Sequence, residues 1–301
     1  MKIAAIDIGT NSTRLLIVDY QAEEYNILER DMVTTRLGEG VDKSRILSKK
    51  AIDRTLAVVK KYTDKIKNIG IRRVNIAGTS ALRDVKNKDV FSRLLTEKTG
   101  HKLNIISGER EAELIYKGVS TDLEQKDYII IDIGGGSTEF IWSENNDIQL
   151  RSFDIGAVRL TERFVNRPAE PVSNSEASNI KKRVNQELSN LANKKLAAKK
   201  AIGVGGTITT LAAMELGLKE YDSELIHKYD ISFNSVRQIQ KELIELPIEK
   251  RKEIAGLQPG RADIIPAGNI ILTSIMEYLS YQSIRISERD ILFGLIKELI
   301  K

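Results

Sequence analysis

One eight-residue pattern occurs twice in this chain. Ile6–Thr13 reads IDIGTNST and Ile131–Thr138 reads IDIGGGST, with the same residue at six of eight positions. Asp132 follows Asp7 by 125 residues. Both copies end an apolar run, turn on glycine and open a second apolar run. A repeated strand–Asp–glycine turn–strand context constrains the chain to two domains of one plan. They are read as residues 1–124 and 125–301, with the last helix able to pack back on the first domain. No Gly/Ser- or Pro-rich linker separates the halves, so the repeat alone places a hinge near residues 120–126.

The rest of the pattern is α/β. Lys2–Asp7, Thr13–Tyr20 and Tyr25–Val33 read as three strands joined by tight turns. Ser48–Asn68 sets Ile52, Leu56, Val59, Tyr62 and Ile66 at helical spacing, with Ser48 as N-cap. A strand at Val74–Ala77, a helix at Asp89–Lys98 closed by Gly100, a strand at Leu103–Ile106 and a helix at Glu109–Gly118 follow. Then the order restarts with strands at Asp127–Ile133, Thr138–Trp142 and Ile148–Phe153. A lysine-rich helix at Glu176–Ala197 precedes a strand at Lys200–Val204. Helices at Thr207–Leu216, Ser235–Leu246 and Ala262–Leu279, a strand at Gln282–Ile286 and a helix at Arg289–Ile300 end the chain. Each half is expected to be a mixed sheet covered by helices.

Composition narrows the chemistry. A hydrophobic share of 41% and a charged share of 30% are ordinary globular usage. With no cysteine there is no disulfide, thiolate metal site or cysteine nucleophile, and two histidines do not make a multi-histidine site. The net charge of +5, from 47 basic and 42 acidic residues, suits a polyanion. Aromatics at 5% offer no base-stacking platform, so no nucleic-acid partner is expected. No apolar run reaches the roughly 18 residues of a membrane span. Asp7 interrupts the N-terminal apolar stretch, which argues against a signal peptide. A cytoplasmic protein without a membrane partner is the expectation.

Three glycine turns carry the chemistry. After Asp7, the residues Gly9, Thr10, Asn11 and Ser12 make a turn rich in backbone N–H that can cradle a phosphate, with glycine admitting the oxygen closely. Asp7 is placed to hold Mg²⁺. After Asp132, the run Gly134, Gly135 and Gly136 exceeds what a plain hairpin needs, and Ser137 and Thr138 add hydroxyls. The third turn, Gly203–Thr207, joins a strand to a helix, so Gly205, Gly206 and Thr207 would face an anion with the positive end of that helix. Loops from two like domains could grip one polyphosphate across a cleft. Ala77–Asp84 adds Ser80 and Arg83, the latter able to clamp a phosphate. The acids opening the helix at Glu109 also fit ordinary helix-dipole pairing, and nothing local says which of them is catalytic.

Taken together these pieces resemble the exopolyphosphatase and guanosine pentaphosphate phosphohydrolase (Ppx/GppA) family, within the actin/hexokinase/sugar-kinase superfamily. The matching stretches are IDIGTNSTRLL (Ile6–Leu16), RLGEGV (Arg36–Val41), GTSALRDVKN (Gly78–Asn87), ISGEREAELIYKGV (Ile106–Val119), DIGGGSTE (Asp132–Glu139), GVGGT (Gly203–Thr207) and RADIIPAG (Arg261–Gly268). The resemblance implies two actin-like (ribonuclease H-like) domains around an interdomain cleft. It implies Mg²⁺-dependent cleavage of a terminal phosphoanhydride in inorganic polyphosphate or guanosine pentaphosphate, with K⁺ as a candidate activator. Glu111 maps onto the base that activates water and Arg83 onto a phosphate-binding arginine. Asp132 maps onto the metal aspartate, Glu139 supports it, and Arg14 joins the phosphate-binding set.

The chain departs from the family pattern in two ways. Arg110 stands where the family usually has a glutamate; pointed inward, it would lower the pKa of Glu111. The extra C-terminal helical domain of long members is not expected here, so a long groove is expected to come from elsewhere, and a homodimer is the expectation. A superfamily kinase, a non-catalytic sensor of guanosine tetra- or pentaphosphate, and an actin- or chaperone-like ATP-binding protein are the alternative readings.

Overall fold

The structure, a computed structural model, describes residues 1–122, 128–144, 147–191 and 200–300. The expected hinge from residue 123, the first residue of the strand expected at Asp127–Ile133, and the end of the lysine-rich helix from residue 192 lie outside the described residues. The chain forms two units, Met1–Asp122 with Arg289–Lys301, and Leu123–Glu288.

The first unit runs β1 (Lys2–Ile8), β2 (Ser12–Gln21), β3 (Glu24–Thr34), α1 (Val41–Ser44), α2 (Lys49–Asn68), β4 (Arg73–Gly78), α3 (Ser80–Arg83), α4 (Lys88–Thr99), β5 (Asn104–Ile105) and α5 (Gly108–Val119). Its sheet has the order β3-β2-β1-β4-β5. The meander β1–β3 is antiparallel, and β4 and β5 add in parallel. The second unit runs β6 (Tyr128–Ile133), β7 (Thr138–Glu144), β8 (Asp147–Phe153), α6 (Ala157–Phe164), α7 (Asn174–Leu188), β9 (Lys200–Val204), α8 (Gly205–Glu215), α9 (Ser223–Ile226), β10 (Asp230–Ser232), α10 (Phe233–Glu245), α11 (Ile248–Arg251), α12 (Ile265–Tyr278) and β11 (Ser283–Ile286). Its order is β10-β11-β9-β6-β7-β8. Read from β8 to β11 this repeats the first sheet strand for strand, and β10 extends it. Each unit is a mixed sheet flanked by helices.

The central strands explain themselves. In β1 every residue after Lys2 is buried, and β6 is buried throughout. A strand paired on both sides and covered on both faces must be apolar on both faces. In the first unit Ala4, Ile6, Ile8, Leu15 and Ile17 share one core with Leu56, Val59 and Ile66 of α2. The alternate residues Ile3, Ala5, Leu16 and Val18 point to the opposite face and are equally buried. The second core gathers β6, β7, α8 and α12, the last apolar on nearly all sides. Several short helices escaped the sequence reading. Helix α6 starts at Gly156 with no side-chain cap, so it lacks the usual start signal.

The final helix, α13 (Ile291–Glu298), packs on α5, β1, β2 and β4 of the first unit. Two glycines permit this close approach. A Cβ on Gly294 would collide with the Leu114 carbonyl, and one on Gly118 with the Asp290 carbonyl. Both obstacles are backbone. Gly294→Ala should therefore cost about 1–3 kcal/mol and lower the melting temperature by roughly 2–10 °C; scanning calorimetry reads this directly.

Glu298 ties the same helix to α5 through Lys117 at 2.9 Å and through Arg110. Burial pushes its carboxyl up, but Lys117 and Arg110 outweigh burial and hold it below the usual value. A carboxyl lowered by folding adds stability above its unfolded pKa, and that stability is lost as pH falls through the folded one. Glu298→Gln should lower the melting temperature at pH 7 and match the parent below about pH 3.

Candidate active site

The first unit gathers its candidate residues at the carboxyl ends of parallel strands, where open α/β sheets bind ligands. Asp7 is the penultimate residue of β1 and is 3% exposed, in register with Arg14 on one side and Ala77 on the other. Beyond it, the Gly9 amide donates to the Ser12 carbonyl at 2.9 Å. The Arg36 amide donates to Asn11 and the Gly38 amide to Thr10, so the stretch Arg36–Val41 straps the loop from outside. A Cβ on Gly38 would strike the Thr10 side chain. Thr10, Asn11 and Ser12 are buried, and Asn11 Nδ2 has no partner.

Arg14 Nε and Nη2 both donate to Asp7 Oδ2, at 2.9 and 2.6 Å, and Nη1 pairs with Asp290. Burial raises the Asp7 pKa and Arg14 opposes it, with burial the larger. Asp7 Oδ1 is buried without a partner. The guanidinium read from sequence as a phosphate ligand is thus engaged by two carboxylates.

Loops after β4 and β5 bring Arg83 and Glu111 together. The Thr79 amide donates to Ile8 and the Ile106 amide to Gly78, so both loops start from the strand edge beside the Asp7 turn. Ser80, buried, opens α3, and Arg83 ends it. Ser107 caps α5 by accepting from the Arg110 amide, which sets Glu111 in the first turn. Arg83 Nη1 then donates to Glu111 Oε2 at 3.1 Å and to the Ile106 carbonyl at 3.4 Å. Arg110 turns the other way, to Glu113 at 2.6 Å and to Glu298. The inward Arg110 considered from sequence is not what the structure shows: the cation beside Glu111 is Arg83.

In the second unit the Gly134 amide donates to the Ser137 carbonyl at 3.0 Å, the same turn as in the first. Its neighbours differ. The Gly134 and Gly135 carbonyls accept amides of Ala157, Val158 and Arg159 at the start of α6, and Arg159 Nε donates to Gly136 at 2.6 Å. A trans peptide points its N–H opposite to its C=O. The Gly135 and Gly136 amides therefore face away from α6, and among the described residues they donate to no protein group. Such free amides suit phosphate oxygens. Thr138 donates to the Ile155 carbonyl, and Ser137 is buried.

Asp132, 8% exposed, lies in register with Glu139. Glu139 is 1% exposed and accepts from Ser152 at 2.7 Å. Gly205 opens α8 at φ +86°, and a Cβ there would collide with Asp132 Oδ1. Gly206 lies against the buried guanidinium of Arg261, and Thr207 against Gly268. Sequence reasoning gave no role to Arg159, Arg261 or Asp290. For Arg159 and Asp290 the only sequence signal is a charge set in or beside an apolar stretch, and Arg261 opens the RADIIPAG stretch without a role read for it.

No cluster of three His, Asp or Glu side chains occurs among the described residues. Mg²⁺ usually takes one or two carboxylates and completes its shell with water and substrate phosphates. Within the first unit the unpartnered Asp7 Oδ1 suits that role, and within the second the Asp132–Glu139 pair does.

A model of the Ppx/GppA phosphatase family matches residues 16–300. The chain belongs to the Ppx/GppA phosphatase family. It is 39% identical to a bifunctional 3-dehydroquinate synthase/phosphatase of Fusobacterium nucleatum, over 98% of this chain but 46% of that protein, so it spans about half that relative's length. It is 34% identical to exopolyphosphatase 2 of Mycobacterium tuberculosis, over 98% of this chain and 97% of that one. The crystal structure of an exopolyphosphatase from Cytophaga hutchinsonii superposes with a TM-score of 0.90 at 29% identity, covering 100% of this chain and 98% of that one. No helix among the described residues of this Ppx/GppA member is long and apolar enough to cross a membrane.

Gly205→Ala forces a positive φ on a side chain and drives its methyl at Asp132. It should cut turnover at least tenfold and lower the melting temperature, the backbone strain alone costing about 1–2 kcal/mol. Gly217→Ala, at φ +60° with open space around it, shares the strain without the collision and should keep its activity. Activity and melting curves on the two variants check this.

Proposed function

We propose that this Ppx/GppA phosphatase, a hydrolase acting on phosphoanhydrides, removes the terminal orthophosphate of inorganic polyphosphate. The observation that carries the reading is the Arg83–Glu111 pair, 3.1 Å apart at the carboxyl edge of the first sheet. Glu111 orients the attacking water and accepts its proton. The water oxygen forms a bond to the terminal phosphorus in line with the bridging oxygen, whose bond breaks and which leaves on the shortened chain. Arg83 stabilises charge on the transferring phosphoryl group. The work is positioning and electrostatics.

The glycine-loop amides hold phosphoryl oxygens. Asp7 in the first unit, and Asp132 with Glu139 in the second, are the residues that would hold Mg²⁺, which when bound neutralises phosphate charge. Polyphosphate is favoured over guanosine pentaphosphate by the net charge of +5 and by likeness to two proteins named exopolyphosphatases.

Orthophosphate release in Mg²⁺, with long-chain polyphosphate and guanosine pentaphosphate offered side by side, tests the reading. Release from polyphosphate should fall about 10²–10⁴-fold in Glu111→Gln while polyphosphate binding persists. Release mainly from the nucleotide would move the substrate assignment. No release from either would reject hydrolysis.

A further inference from the structure

Asp290 has no part in the mechanism above, yet its side chain reaches the first loop through Arg14. We propose that Asp290 is a positioning residue that, through Arg14, fixes the Asp7 carboxylate and restores the negative charge a cation needs there. This rests on the proposed function, and more narrowly on Asp7 facing a divalent cation.

The geometry is specific. Two N–H groups of Arg14 grip the same oxygen of Asp7, Oδ2, which fixes the carboxylate torsion and leaves Oδ1 buried without a partner. The remaining guanidinium nitrogen, Nη1, is taken by Asp290 Oδ2. The other Asp290 oxygen accepts from the Leu292 amide at 2.9 Å and caps α13. One carboxylate thus caps a helix and holds an arginine. Its own backbone is set by α5, since Gly118 packs on the Asp290 carbonyl. The helix carrying Glu111 and the strand carrying Asp7 are therefore joined through Asp290 and Arg14 inside one unit.

The repeat supplies the electrostatic argument. Across the strand pair Asp132 meets Glu139, whereas Asp7 meets Arg14. A glutamate adds negative charge beside the second aspartate. An arginine would cancel the charge of the first. Asp290 makes the trio Asp7–Arg14–Asp290 net negative by one, so a cation at Oδ1 still meets an attractive field.

Asp290→Asn separates this role from helix capping, because asparagine caps as well as aspartate but carries no charge. The experiment is Mn²⁺ binding to the substrate-free full chain by electron paramagnetic resonance, with Mg²⁺ titration of turnover alongside. Asp290→Asn should weaken Mn²⁺ binding roughly 3- to 30-fold. The Mg²⁺ needed for half-maximal turnover should rise in step, and the melting temperature should fall by only a few degrees, since the helix cap persists while one ion pair is lost. Arg14→Gln should move the other way on metal, binding Mn²⁺ more tightly, while turnover at saturating Mg²⁺ falls because Oδ2 is no longer held. Equal Mn²⁺ binding by Asp290→Asn and the parent, or none by the parent, would overturn the proposal and leave Asp290 a helix cap. Weakened Mn²⁺ binding in a chain that releases no phosphate from any substrate would reject the hydrolase and keep the positioning role.

Discussion

A carboxylate buried at the carboxyl end of a central strand is the costly element in each unit, and the surrounding residues answer it. Removing an ion from water costs several kcal/mol even after relaxation. Asp7 is 3% exposed and Asp132 8%. Around Asp7 the answer is Arg14 from the next strand, itself held by Asp290. Around Asp132 it is partly the lack of a side chain at Gly205. Structure maintained against such a cost belongs where function needs charge rather than where stability does.

The two copies keep one turn and support it differently. In both, the first glycine amide closes on the carbonyl three residues on. The first loop is strapped by the stretch after β3, and the second is seated on α6. Either way the loop carbonyls are bonded from behind, and for the second loop trans-peptide geometry leaves the Gly135 and Gly136 amides facing outward. The cross-strand residue then diverged to Arg14 in one copy and Glu139 in the other, so repeated backbones came to hold unlike charge.

Much of this was legible in the sequence, for physical reasons. Repeated IDIG segments report buried central strands, because only a strand apolar on both faces reads that way. Three successive glycines report a loop whose backbone must be approached closely. Arg83 was readable as a phosphate clamp and Glu111 only through family resemblance, and their contact was not readable at all, since two separate loops bring them together and no spacing encodes it. Arg14 sits right after the glycine turn, where sequence reads it as a phosphate ligand. Its partner Asp290 is 276 residues away, and no local pattern reports such a contact. The direction of Arg110 stayed open in the sequence because it depends on tertiary packing: Glu113 lies one turn along and Glu298 comes from the final helix.

The route of the chain has a consequence for synthesis. The residues that complete the first unit, from Arg289 onward, follow the whole of the second. A nascent chain emerges with β1–β5 in hand but without the helix that packs on β1, β2 and β4. Through all of the second unit's synthesis that face of the first sheet waits for its cover. The unit that is made first closes last, and the ribosome must deliver nearly the entire chain before Arg14 meets its second counter-ion.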